Sequence, residues 1–145
     1  MRVAIKYGLL ITVGVAAWVT VKHFVLKQAL PPWLDLVVFN TLELAGIVLG
    51  IRTQRAASSG LTFKEGLKAG ISIAVVYAIS ACLFFAAMVV VLGPSFLEQA
   101  HEPGGAGRSG SSALAGAFAG LFIGATVSGA VFSTIASALL RRARR

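Results

Sequence analysis

Five acidic residues stand in this sequence, and Glu43 is the one whose position bears most on chemistry. It lies inside an apolar run, Leu34 to Ile51, that also carries Asp35 and Asn40. An ionisable group halfway along a membrane helix is costly to keep in hydrocarbon, so it marks a proton or ion path, or else it is neutralised and hydrogen-bonded and fixes helix register. Asn40, or a hydroxyl such as Thr12 or Ser72, is available for the second role. One acid with no second buried titratable partner makes no obvious relay, which favours that second role. Asp35, near the end of the run, is expected to be wet.

Other candidate chemistry is sparse. His101 with Glu98 and Glu102 has the donor types of a zinc or harder-ion site, but one histidine beside a Gly- and Ser-rich loop reads as a solvated acidic turn. No metal and no cofactor is expected. His23, beside Lys22, is expected at the headgroups, and Cys82 as a small packed thiol inside an apolar helix. No Cys-x-x-Cys pair, Walker loop, zincin helix or nucleophile elbow is present, so the sequence gives no support to an enzyme.

The elements that must position Glu43 follow from composition. With 145 residues, 57% of them hydrophobic and 12% charged, the chain lies outside the range of soluble globular domains and reads as an integral membrane protein. The net charge of +8 does not point to nucleic acid, because Lys and Arg sit at the ends of apolar runs and not on a stripe interleaved with aromatics. The expected fold class is all-α: one membrane domain over 1–145, with four transmembrane helices in a compact bundle at about 4–26, 34–52, 62–97 and 112–140. A flexible Gly/Ser-rich loop is expected at about 98–111.

The first run has a basic start, Arg2 and Lys6, and resembles a secretory signal with Val15, Ala16 and Ala17 as a cleavage region. The apolar run continues through Trp18, Val19 and Val21, which favours a retained helix with Lys22 snorkelling at its end. Pro31 and Pro32 turn the chain, and Trp33 suits the headgroup level. On the second helix, at 100° per residue, Asp35, Asn40, Glu43, Gly46 and Gly50 share about 140° of arc with Leu36 and Ile47, a face expected to point into the bundle. Thr62-Phe63-Lys64-Glu65 fits a capping box opening helix three.

Two small-residue ladders then recur every fourth position: Gly66, Gly70, Ala74, Ala78, Cys82 and Ala86 on helix three, and Gly116, Gly120, Gly124 and Ser128 on helix four. These ridges are expected to pack on each other at a right-handed crossing near −40°. On that reading Gly120→Leu disrupts packing far more than Leu121→Ala. There are more small faces than one bundle needs, which argues for a partner besides the lipid bilayer: a larger membrane complex or self-association.

Ten of the thirteen basic residues, Arg2, Lys6, Arg52, Arg55, Lys64, Lys68, Arg141, Arg142, Arg144 and Arg145, fall on one side of a four-crossing topology; Lys22, Lys27 and Arg108 fall on the other. The positive-inside rule places both termini in the cytoplasm. The basic loop and tail can also attract anionic lipid, at about 1 kcal/mol per residue.

Several stretches carry a family likeness: Lys6-Tyr7-Gly8, Leu49-Gly50-Ile51-Arg52, and above all Gly60-Leu61-Thr62-Phe63-Lys64-Glu65-Gly66-Leu67-Lys68-Ala69-Gly70. With Gly93-Pro94-Ser95-Phe96-Leu97-Glu98, which is similar to an acidic Asp-Pro-containing segment, the chain resembles over nearly its whole length the bacterial four-helix membrane proteins of domain-of-unknown-function family 4199. Glycine and serine stand where that segment usually has acids, which weakens a ligand-binding role for the loop. The resemblance implies a four-helix fold in the bacterial cytoplasmic membrane and supplies no catalytic residues. Two functions remain open: a structural or accessory membrane subunit docking through small-residue helix faces, and a small proton-coupled transporter using Glu43 and Asn40.

Overall fold

The computed structural model describes residues 2–26, 30–31, 33–57, 62–93 and 111–141, with side chains in the last segment described from 115 to 140. They form four helices: α1 (Arg2–Phe24), α2 (Trp33–Ala57), α3 (Phe63–Leu92) and α4 (Ser111–Arg141). All four are long and apolar enough to cross a membrane, and no strand occurs among the described residues. The chain is a multi-pass, all-α membrane protein.

Helix ends follow local chemistry. α3 opens on the expected capping box: the Glu65 amide donates to Thr62 Oγ1 at 3.4 Å, and the Thr62 amide donates to Glu65 Oε2 at 2.9 Å. It closes at Leu92, short of the expected 97, because Gly93 takes a φ of +83°, a left-handed conformation that glycine adopts at little cost. α2 runs past the expected 52 to Ala57. Two contacts hold this extension: Thr53 Oγ1 shares a 2.6 Å hydrogen bond with Tyr7 Oη, and Arg55 Nη1 donates to the Leu140 carbonyl at 2.9 Å. The second of these satisfies a carbonyl in the last turn of α4, where no intrahelical donor remains.

α3 is the central helix, packed against α1, α2 and α4, whereas α1 and α4 meet only marginally. The core is Ile11, Val15, Ile47, Ile51, Ile73 and Tyr77, with small residues of α3 between them. Lipid is as apolar as leucine, so fit between helices, not expulsion of water, holds such a bundle together. Large branched side chains sit over glycines: Val76 over Gly8, Ile11 over Gly46, and Ile73 over Gly50, which Tyr7 also flanks.

The α3–α4 seam has the same logic with smaller parts. Gly66 faces Ser137, Gly70 faces Ser133, and Gly129 faces Ala74. The inward ridge of α4 is therefore Ala125, Gly129, Ser133 and Ser137, all buried. This corrects the expected ladder by one residue, a rotation of about 100°. Gly116, Gly120 and Gly124 are exposed, and a Cβ built on any of them meets no atom of the described residues within 4 Å. Of that ladder, only Ser128 reaches a neighbouring helix. The rotation fits the contact that Ser128 makes: with this ridge turned inward, its hydroxyl reaches the buried Glu43 carboxylate of α2.

Asp35, partly exposed as expected, also has partners. Its carboxylate accepts from Trp18 Nε1 at 2.8 Å and pairs with Lys22 Nζ at 2.5 Å, joining α1 to α2. Lys22 therefore bridges helices and does not simply snorkel. Leu36, expected inside, is 66% exposed.

A buried polar site at Glu43

Glu43 lies about 15 Å along α2 from Trp33, at 1.5 Å per residue, so the bundle holds it near mid-membrane depth. It is 3% exposed. Three helices enclose it. From α4, Ser128 Oγ donates to Glu43 Oε2 at 2.7 Å. Oε1 lies over Gly129, only 2.9 Å from where a Cβ would stand, with Ala74 of α3 packed on the same spot. Glycine at 129 is thus what leaves room for the carboxyl. Buried Tyr77 of α3 lies within electrostatic range of Glu43 and of Cys82.

The two carboxyl oxygens are not equivalent. Oε2 has its serine donor, while Oε1 is buried with no hydrogen-bond partner among the described residues. An unsatisfied oxygen in a low-dielectric interior costs about 1–3 kcal/mol, so the site favours whatever supplies a proton or a donor there. It can hold a proton on the carboxyl itself, or accept from a water or a small cation.

The partners anticipated from sequence are engaged elsewhere. The Asn40 amide donates to the Leu36 carbonyl at 2.7 Å, Thr12 and Ser80 share a 2.6 Å bond, and Ser72 donates to the Lys68 carbonyl. Gly46 and Gly50 do share the buried face of α2 with Glu43. Arg52, Lys64 and Lys68 are exposed at one end of the bundle, where Arg55 instead reaches Leu140. Arg141 ends α4, while Arg142, Arg144 and Arg145 lie outside the described residues, as do the 98–110 loop and the Pro94–Glu98 stretch. His101, Glu98 and Glu102 lie there too, and no metal-ligating cluster occurs among the described residues.

A family model described as a protein of unknown function, DUF4199, matches residues 6–103. The chain belongs to that family. The match takes in α1, α2 and α3 and stops before α4, so in this DUF4199 protein Glu43 and Tyr77 lie within the family region and Ser128, Gly129 and the outward glycines lie beyond it. The likeness anticipated over nearly the whole chain is narrower by that one helix. No curated protein and no solved structure matches the chain.

Proposed function

We propose that this DUF4199 protein is a structural or accessory subunit of the bacterial cytoplasmic membrane, with both termini cytoplasmic, that assembles by laying the outward glycine face of α4 on the same face of a second copy. The observation carrying this reading is that, among the described residues, nothing covers Gly116, Gly120 and Gly124. Glycine in a helix interior costs about 1 kcal/mol relative to alanine, and three of them on one stripe bring no packing inside the bundle in return. Against another helix they allow the close backbone approach that holds helix pairs in lipid. Ala115 and Ala119 are exposed beside them and keep the stripe narrow in profile. A second copy brings an identical ladder, which suits a two-fold contact in which the same residues meet. Purification in mild detergent followed by native mass measurement tests this: a dimer is expected, and a strictly monomeric species sinks the proposal. The cytoplasmic placement of the termini rests on the ten basic residues that the order of four crossings puts on one side.

The unpartnered Glu43 Oε1 favours a second reading, a small proton-coupled carrier. In proteoliposomes, Glu43→Gln is then expected to abolish a proton-linked flux that the parent shows. Unchanged flux in the variant, or none in the parent, removes it.

A further inference from the structure

The bases of this protein are handled differently at its two ends. Toward the Pro31 turn, Lys22 is neutralised within the chain by the Asp35 carboxylate. At the other end Arg2, Lys6, Arg52, Lys64 and Lys68 are exposed, and none is paired with a carboxylate among the described residues. The described acid at that end is Glu65, which is taken up by the α3 cap: its Oε2 accepts from the Thr62 amide and hydroxyl, both at 2.9 Å. Arg55 is engaged on the Leu140 carbonyl.

Contacts put four of these bases at one level of the bundle, on three helices. The Tyr7–Thr53 bond joins the start of α1 to the end of α2, and Lys6 and Arg52 are the chain neighbours of those two residues. Ile51 lies 3.9 Å from where a Cβ on Gly66 would stand, and Lys64 and Lys68 flank Gly66 on α3. Both lysines, one turn apart, lie on the face of α3 turned away from its buried residues. Two lengths give the depth of this level. Arg52 stands about 14 Å beyond Glu43 along α2, close to half of a hydrocarbon core of about 30 Å. The 30 residues of α3 measure about 45 Å, the thickness of a bilayer with its headgroups, and its uncharged run begins directly after Lys68. One turn deeper, beside the bases on the same three helices, Leu9, Leu49 and Ile71 are exposed.

We propose that this collar, Lys6, Arg52, Lys64 and Lys68 above Leu9, Leu49 and Ile71, is a binding surface for anionic phospholipid. The lipid phosphates stand where the chain supplies no carboxylate, and the acyl chains lie along the exposed apolar residues below. A base over an apolar residue matches a phosphate over an acyl chain, on each of three helices. A soluble anion uses only the upper half of that pattern. A zwitterionic lipid brings its own cation to its phosphate, so the uncompensated bases favour the anionic one. Neither Glu43 nor the outward glycines of α4 take part, so the surface binds lipid in monomer and dimer alike.

Native mass spectrometry of the full chain in an uncharged detergent, titrated separately with phosphatidylglycerol and phosphatidylcholine, tests this. Insertion is already complete there, so bases that only set orientation would change nothing. The parent is expected to prefer phosphatidylglycerol at least about tenfold, and Arg52→Gln/Lys64→Gln/Lys68→Gln to lower that preference at least about tenfold, one base at an anionic surface being worth about fivefold. Excess inorganic phosphate leaves the lipid bound. These three side chains have no partner in the fold among the described residues, so the variant keeps its helices. Should it not, Lys64→Gln/Lys68→Gln carries the test, with a loss of at least about fivefold. Equal binding of the two lipids by the parent, an unchanged preference in the variant, or displacement of phosphatidylglycerol by inorganic phosphate overturns the proposal. A monomeric parent, or one without flux in proteoliposomes, keeps the same lipid preference, so failure here is distinct from failure of either functional reading.

Discussion

Gly70→Leu is expected to open the bundle, with a loss of at least about 3 kcal/mol in the unfolding free energy, at the upper end of overpacking costs. A Cβ at 70 runs into the hydroxyl and Cβ of Ser133, and it stands 3.2 Å from the Ser133 Cα. A flexible side-chain tip could swing away, but a backbone atom cannot. Ser133 is fully buried and its hydroxyl is fixed on the Gly129 carbonyl, so relief requires α4 as a whole to move off α3. That movement would also draw Ser128 away from Glu43 and Leu140 from Arg55. Circular dichroism during titration with a denaturing detergent measures the effect, with Gly116→Leu as the control in open space. Similar midpoints for Gly70→Leu and the parent would show that the seam is not closely packed there.

The number of helices, and the faces α2 and α3 turn inward, were legible because lipid imposes strong rules. Runs of about 20 apolar residues must be helices, since hydrocarbon offers no partner for a free peptide group. The capping box at Thr62 and Glu65 is a local exchange between residues three apart, so it too is visible in sequence. Gly46, Gly50, Gly66 and Gly70 stand against neighbouring helices for a similarly simple reason: each is the small member of an apolar face.

The rotation of α4 was not legible. Gly116-Gly120-Gly124-Ser128 and Ala125-Gly129-Ser133-Ser137 are both small every fourth residue, so helical period alone cannot choose between them. What distinguishes them is a contact 85 residues apart, Ser128 on Glu43, together with the fit of Gly129 and Ser133 against Ala74 and Gly70. Arg55 on Leu140 spans the same distance in sequence and was equally hidden. The Asp35 clamp was within reach: Lys22 and Asp35 flank the Pro31-Pro32 turn with opposite charges, and a tight hairpin brings such residues together.

The same rotation reverses the expectation for two adjacent residues of α4. Gly120 faces open space, so Gly120→Leu has nothing to collide with and gains helix propensity of up to about 1 kcal/mol; the monomer keeps its stability or rises slightly. Leu121 is half-buried against the core, so Leu121→Ala removes packed methyl groups, and a loss of about 1–2 kcal/mol is expected, below the 2–5 of a fully buried site. Association runs the other way. A leucine at 120 holds two α4 backbones apart at the middle of the glycine stripe, so Gly120→Leu is expected to turn the dimer into monomer while Leu121→Ala stays dimeric. Unfolding midpoints and native masses of the two variants, measured side by side, separate the two effects. A dimer that survives Gly120→Leu removes this face as the contact. A Gly120→Leu monomer less stable than Leu121→Ala would mean that the stripe packs within the chain after all. The combination of a stable fold and lost association belongs to a helix whose glycines face outward.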